Sequence, residues 1–214
     1  TSFSVTGGSL TGATFGVSFA GGSTVDAASS VAFAGVTVVG TANNCAAFSA
    51  AFAGSLAITG GALSTTAPGS SCIYLNGPTT GPVSLSGVSL SNNGWTFNIN
   101  DLQAALTLTN VVATSTAEVA FRPIGMTSGA TLVSITGGSY TGLKSAIEFP
   151  LVDAATTIAI SDAALTGTGS TDPALHFAAA VDGGVSISGG SVSQTDGGFL
   201  QRGIHFTAAM AGPV

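Results

Sequence analysis

Glu148, His176 and His205 are the residues of this chain whose types and spacing could do chemistry. Each immediately precedes a phenylalanine, Phe149, Phe177 or Phe206, and they follow one another at intervals of 28 and 29 residues. An imidazole titrates near neutral pH and beside a carboxylate can move a proton or hold a metal. Arg202 lies near enough in sequence to join them. A solvated polar stripe would show the same three residues, so chemistry depends on a fold that brings them together. Other polar sets say less. Polysaccharide lyases and hydrolases need clustered carboxylates, or calcium with an arginine or lysine base. Here nine acids are scattered among three cations, Arg122, Lys144 and Arg202, which stand apart. Gly167-Thr168-Gly169-Ser170-Thr171-Asp172 is one weak echo of a calcium-binding glycine-rich repeat. Asp26, Asp153 and Asp182 fall at matching turns, where Asp is first of all a turn former. The expectation is therefore no enzyme, no cofactor and no metal.

Positioning these residues requires elements, and the elements declare themselves as a repeat. An apolar–small–apolar segment followed by a glycine-rich bend starts at Phe3, Val31, Leu56, Val83, Leu106, Val133, Ile158 and Val185. The eight starts step by 23 to 28 residues and average 26. About 14 residues after each comes a second apolar pair: Val17/Phe19, Ala46/Phe48, Ile73/Leu75, Phe97/Ile99, Val119/Phe121, Ile147/Phe149, Leu175/Phe177 and Ile204/Phe206. A looser apolar position follows at Val25, Phe52, Leu102, Ile124, Val152, Val181 and Met210. One such unit cannot bury its own apolar side chains, but stacked units can, at a strand spacing of about 4.8 Å. The chain is thus expected to be all-β: one parallel β-helix (β-solenoid) domain over 1–214, of about eight coils, right-handed. Phe19, Phe48, Phe121, Phe149, Phe177 and Phe206 should form an inward stack, with Leu75 and Ile99 filling its gap. Glu148, His176 and His205 then share one outward column with Tyr74, Glu118 and Arg122.

Composition bounds the partners. Charged residues make up 6% of the chain, against about 25% in an ordinary soluble domain. Three cations cannot neutralise a run of phosphates or grip an anionic membrane, which excludes nucleic acid and a polybasic membrane contact. No apolar run approaches the length of about 18 residues that would span a bilayer. The 45% hydrophobic content is too high for a disordered linker. Cys45 and Cys72 each lie three residues before the end of their coil's second apolar pair, which places them in one column on neighbouring coils. The spacing suits a disulfide, and with it an oxidising setting: extracellular, or a cell or virion surface.

The least ordinary surface is the outer side of the first strand. Its central column reads Ser4, Ala32, Ala57, Ser84, Thr107, Ser134, Ala159 and Ser186. The next reads Thr6, Ala34, Thr59, Ser86, Thr109, Thr136, Ser161 and Ser188. All sixteen positions carry Ser, Thr or Ala. Such a face is a candidate packing surface, because small side chains let sheets approach closely. In surface chemistry alone it also resembles the Thr/Ser/Ala arrays of β-solenoid ice-binding proteins, without their strict Thr-x-Thr repeat. The first strand begins at residue 3 and only eight residues follow Phe206. That leaves no room for a cap, as expected of a subunit that stacks head to tail or a segment of a longer solenoid. The leading expectation is a non-enzymatic structural solenoid that self-associates into a filament. Ice is the next partner considered, and a glycan-binding adhesin or tailspike-like module the third.

Overall fold

The computed structural model describes residues 1–19, 24–126, 132–196, 202–208 and 210–211, and among these it contains strands and no helix. Three parallel sheets of eight strands each stack as a β-solenoid of about seven turns. The first sheet holds Ser2–Thr6, Ser30–Ala34, Ser55–Thr59, Val83–Ser86, Leu106–Thr109, Leu132–Thr136, Thr157–Ser161 and Gly184–Ser188. The second holds Ser9–Gly12, Thr37–Gly40, Ala62–Thr65, Ser89–Asn92, Val112–Ser115, Ser139–Gly142, Ala164–Gly167 and Ser191–Gln194. The third holds Val17–Phe19, Ala46–Phe48, Ser71–Thr79, Trp95–Leu102, Phe121–Pro123, Ile147–Phe149, Leu175–Phe177 and Ile204–Phe206.

The second sheet is the element that the apolar repeat does not announce. Each of its strands sends in one clear apolar side chain, the column Leu10, Val38, Leu63, Leu90, Ala113, Tyr140, Leu165 and Val192. The next inward position is small or polar, and it serves the neighbouring corner. Thr65 Oγ1 donates to the Asn43 carbonyl at 2.8 Å, and Asn92 Nδ2 donates to the carbonyls of Ser70 and Trp95. These strands therefore read as loop in sequence. Each is joined to the first sheet through a left-handed residue, Gly7, Gly35, Gly60, Gly87, Asn110, Gly137, Asp162 or Gly189, with φ between 51° and 64°, and in four coils a second follows it: Gly8, Gly61, Gly138 and Gly190. Gly adopts that conformation freely, and Asn and Asp tolerate it best among the rest.

A continuous apolar core runs through the coils. The aromatic stack forms, with one correction. Phe19 lies on Phe48 at a centroid distance of 4.8 Å, and Phe149 on Phe177 and Phe177 on Phe206 at 5.3 and 4.5 Å. Phe121 belongs to the adjacent inward column, in register with Phe97 and Ile147, and Pro123 takes the position opposite Ile99. Phe121 meets Phe149 edge-on at 6.1 Å. A two-residue slip leaves the same face inward, so hydrophobic alternation alone does not reveal it. Of the looser apolar positions, Leu102 ends the strand Trp95–Leu102 opposite Thr79, while Val25, Phe52, Val152, Val181 and Met210 form isolated bridges, among them Val25 to Phe52 and Val152 to Val181. At the ends, Phe3 and Ile204 are exposed, and residues 212–214 of the tail lie outside the described part.

Candidate functional site

The register places all sixteen expected face residues where the repeat puts them. Ser4, Ala32, Ala57, Ser84, Thr107, Ser134, Ala159 and Ser186 are successive partners, as are Thr6, Ala34, Thr59, Ser86, Thr109, Thr136, Ser161 and Ser188. Sequence reasoning missed that the second sheet continues the same chemistry past the bend. Its outward columns are Ser9, Thr37, Ala62, Ser89, Val112, Ser139, Ala164, Ser191 and Thr11, Val39, Ser64, Ser91, Thr114, Thr141, Thr166, Ser193. The available signal was the alternation after each left-handed residue, as in Ser9-Leu10-Thr11 and Ser89-Leu90-Ser91. Neither sheet carries an ionisable group in these columns; Asp162, at the bend, is the acid that borders them. Hydroxyls meet from coil to coil, Ser161 Oγ donating to Thr136 Oγ1 at 3.3 Å and Thr166 lying 3.3 Å from Ser193.

The third sheet's outer face is different. Its central column runs Ser18, Ala47, Tyr74, Asn98, Arg122, with Glu148, His176 and His205 continuing it. Glu148, His176 and His205 are thus brought together as the spacing implied. Arg122 Nε pairs with Glu148 Oε1 at 2.9 Å, and His176 Nδ1 stands 3.7 Å from Glu148 Oε2, too long for a hydrogen bond. The imidazoles of His176 and His205 stack at 5.5 Å, 7° from parallel. His176 Nε2 lies 2.9 Å from Thr207 Oγ1. Arg202 donates to His205 Nε2, so that nitrogen carries no proton. Desolvation, the Arg202 charge and His176 hold the His205 pKa below its ordinary value. A cavity of about 240 Å³ opens beside the two imidazoles, bordered by Asp172, Arg202 and Thr207. Chemically this is a pair of stacked imidazoles next to a carboxylate already occupied by a guanidinium.

Two expectations change, those for Glu118 and for the two cysteines, while Asp153 keeps the turn role expected of it. Glu118 sits in the corner before Phe121–Pro123 rather than on the strand, where it pairs with Lys144 at 2.6 Å. Asp153 serves its own turn, accepting from the Ala155 N–H at 3.1 Å and the Thr156 hydroxyl at 2.7 Å. Cys45 and Cys72 form no disulfide: both are free, buried thiols. They do share a column, because Ala46 and Ile73, which follow them, are in register. In-register parallel neighbours keep their Cβ atoms about 4.8 Å apart, beyond the roughly 3.5–4.5 Å that a disulfide takes. The Cys72 thiol instead has the carbonyls of Ser91, at 3.2 Å, and Leu63, at 3.4 Å, as alternative acceptors for its one proton. Burial pushes the Cys72 thiol well above its ordinary value, while the hydrogen bond with Cys72 lowers Cys45. Free thiols also remove the argument for an oxidising compartment that the bond would have carried.

Compared with family models, with curated proteins and with solved structures, the chain matches none. Its function must be argued from its own geometry.

Proposed function

We propose that this chain is a non-enzymatic structural solenoid that assembles side by side with copies of itself through its flat uncharged faces. The supporting observation is the pair of in-register sheets whose outward columns hold Ser, Thr, Ala and two Val without a charge. Seven strand steps of about 4.8 Å give a face about 34 Å long, and five residues at about 3.3 Å make it about 16 Å wide. The first face thus offers about 540 Å² and the somewhat narrower second sheet a separate one, each below the roughly 800 Å² per partner of a standard interface, so a lateral assembly uses both faces, each against a different copy. Small side chains lose little rotamer freedom when covered, and no charge has to be desolvated.

The test is size in solution and in negative-stain micrographs across a concentration series. Wild type forms lateral assemblies, and Thr107→Lys with Thr141→Lys, one charge on each face, leaves monomers of unchanged circular dichroism. Wild type that stays monomeric at the highest concentration refutes the reading. One observation favours a second: the coil-to-coil hydroxyl contacts and the Thr114, Thr141, Thr166 run make a regular array of hydroxyls and methyls. A monomer that shows thermal hysteresis, lost in the same double variant, would assign the faces to ice.

A further inference from the structure

We infer that Thr207 is an activated nucleophile at which the chain takes up a short acyl group from a neutral activated ester. The observation behind this is a relay of outward side chains on the third sheet. Arg122 Nε pairs with Glu148 Oε1 at 2.9 Å, Glu148 Oε2 stands 3.7 Å from His176 Nδ1, and His176 Nε2 lies 2.9 Å from Thr207 Oγ1. The fold builds the relay by register: Glu148 is the partner of His176, and His176 of His205. Thr207 follows two residues later on the same face, fixed by its N–H, which donates to the Phe177 carbonyl at 2.9 Å. The Glu148 and His176 side chains are only 17% and 18% exposed, while Thr207 is open. A sheltered carboxylate and imidazole thus back an accessible hydroxyl. One acyl group per chain is a modification rather than turnover, so it stands beside the non-enzymatic reading of the flat faces and does not depend on it.

The imidazole proton is placed by its surroundings. His176 Nδ1 is buried without a hydrogen-bond partner, and the charge facing it is the Glu148 carboxylate. A carboxylate attracts an N–H and repels a lone pair, so Nδ1 carries the hydrogen and Nε2 is bare. Thr207 Oγ1 therefore donates to Nε2, the contact through which a base takes a nucleophile's proton. The 3.7 Å gap is longer than a hydrogen bond, and it closes when His176 gains charge opposite Glu148. A cavity of about 240 Å³ adjoins Thr207, with His176, His205, Arg202, Asp172 and Pro173 in its wall, and has room for a short acyl group. Arg202 spends one N–H on His205, and the rest of its guanidinium can meet an oxyanion. Asp172, which accepts from Thr171 Oγ1 at 2.8 Å, disfavours an anionic donor, so the ester is uncharged. In the reaction, Thr207 Oγ1 attacks the ester carbonyl carbon while its proton passes to His176 Nε2. The tetrahedral intermediate then expels the alcohol, which takes that proton, and the acyl–oxygen bond to Thr207 replaces the one to the alcohol. Nothing is oxidised or reduced.

The probe is p-nitrophenyl acetate at about pH 8, where an ordinary imidazole is uncharged, with intact mass and peptide mapping as readouts. The expected result is one acetyl group per chain on Thr207. Neutral hydroxylamine should remove it as an ester, unlike an acetyl amide at Lys144 or the amino terminus. It should form at least about 100-fold faster than on any hydroxyl of the urea-unfolded chain. Thr207→Val should lose the label, Thr207→Ser should keep it, and His176→Gln should slow it about 100-fold with unchanged circular dichroism. Glu148 is a positioning residue, and ring-nitrogen NMR shifts should show His176 protonated on Nδ1 in wild type and not in Glu148→Gln. If His176→Gln fails to fold, the two Thr207 variants and the wild-type NMR carry the test. Acetyl that spares Thr207, a rate no faster than in the unfolded chain, a wild-type His176 proton on Nε2, or undiminished labelling in His176→Gln would each overturn the assignment.

Discussion

Replacing Tyr140 by phenylalanine should make the protein more stable. Tyr140 sits in the inward column of the second sheet, between Ala113 and Leu165, and is 1% exposed. Its hydroxyl has no hydrogen-bond partner. An unpaired buried hydroxyl costs about 1–3 kcal/mol, and removing the oxygen relieves that cost while the ring keeps its contacts. The void left behind, about 12 Å³ at about 24 cal/mol per Å³, returns only about 0.3 kcal/mol. A net gain of about 1 kcal/mol follows, which at an m-value of about 2 kcal/mol/M raises the urea midpoint by about 0.5 M. Burial also pushes the Tyr140 phenol well above its ordinary value. Below about pH 10 both folded and unfolded chains keep the proton, and ionisation changes nothing. Above it the unfolded chain ionises while the folded chain does not, so wild-type stability falls by about 1.4 kcal/mol per pH unit. Tyr140→Phe lacks that loss, and its advantage should widen from about 1 kcal/mol at pH 7 to about 2.4 kcal/mol at pH 11. Urea titrations of both proteins at the two pH values, followed by circular dichroism, measure the gap. A variant no more stable at pH 7, or a gap that does not widen, refutes the picture of a dry, unpaired phenol.

Two further outcomes rest on the bend and the thiols. Gly87 has φ 61° and open space where a Cβ would stand, so Gly87→Ala should cost only the backbone penalty, about 1–2 kcal/mol. Gly87→Asn should cost clearly less, as Asn110 already fills the equivalent position; equal losses in urea melts would contradict the bend argument. Cys45 and Cys72 should resist a thiol reagent in the native protein and label with two equivalents once it is unfolded. Fast native labelling, or a native mass short of two hydrogens, would show that the pair is open or oxidised.

The outward ladder shows how far spacing carries. Glu148, His176 and His205 could be placed together because each is tied to a phenylalanine whose inward stacking is strongly favoured, at about 1.5–3 kcal/mol per buried side chain. Glu118 could not, since nothing apolar anchors it and the corner before Phe121 sets its position. The cavity of about 240 Å³ beside Trp95 was invisible for the same reason. Asn43 and Asn44, Ser71 and Tyr74, and Trp95 and Asn98 lie on three successive coils, and the register of Trp95 with Ser71 and of Asn98 with Tyr74 brings them to one cavity.

From sequence alone follow the all-β class, the parallel stacking and the uncharged first face. Each rests on a repeated residue type that in-register stacking transmits from coil to coil. Tertiary structure alone decided the rest: a second sheet whose strands supply one apolar side chain each, the two-residue slip at Phe121, and the unbridged Cys45 and Cys72. In each case the deciding quantity is a distance between coils or the length of a corner, and neither leaves a period in the chain.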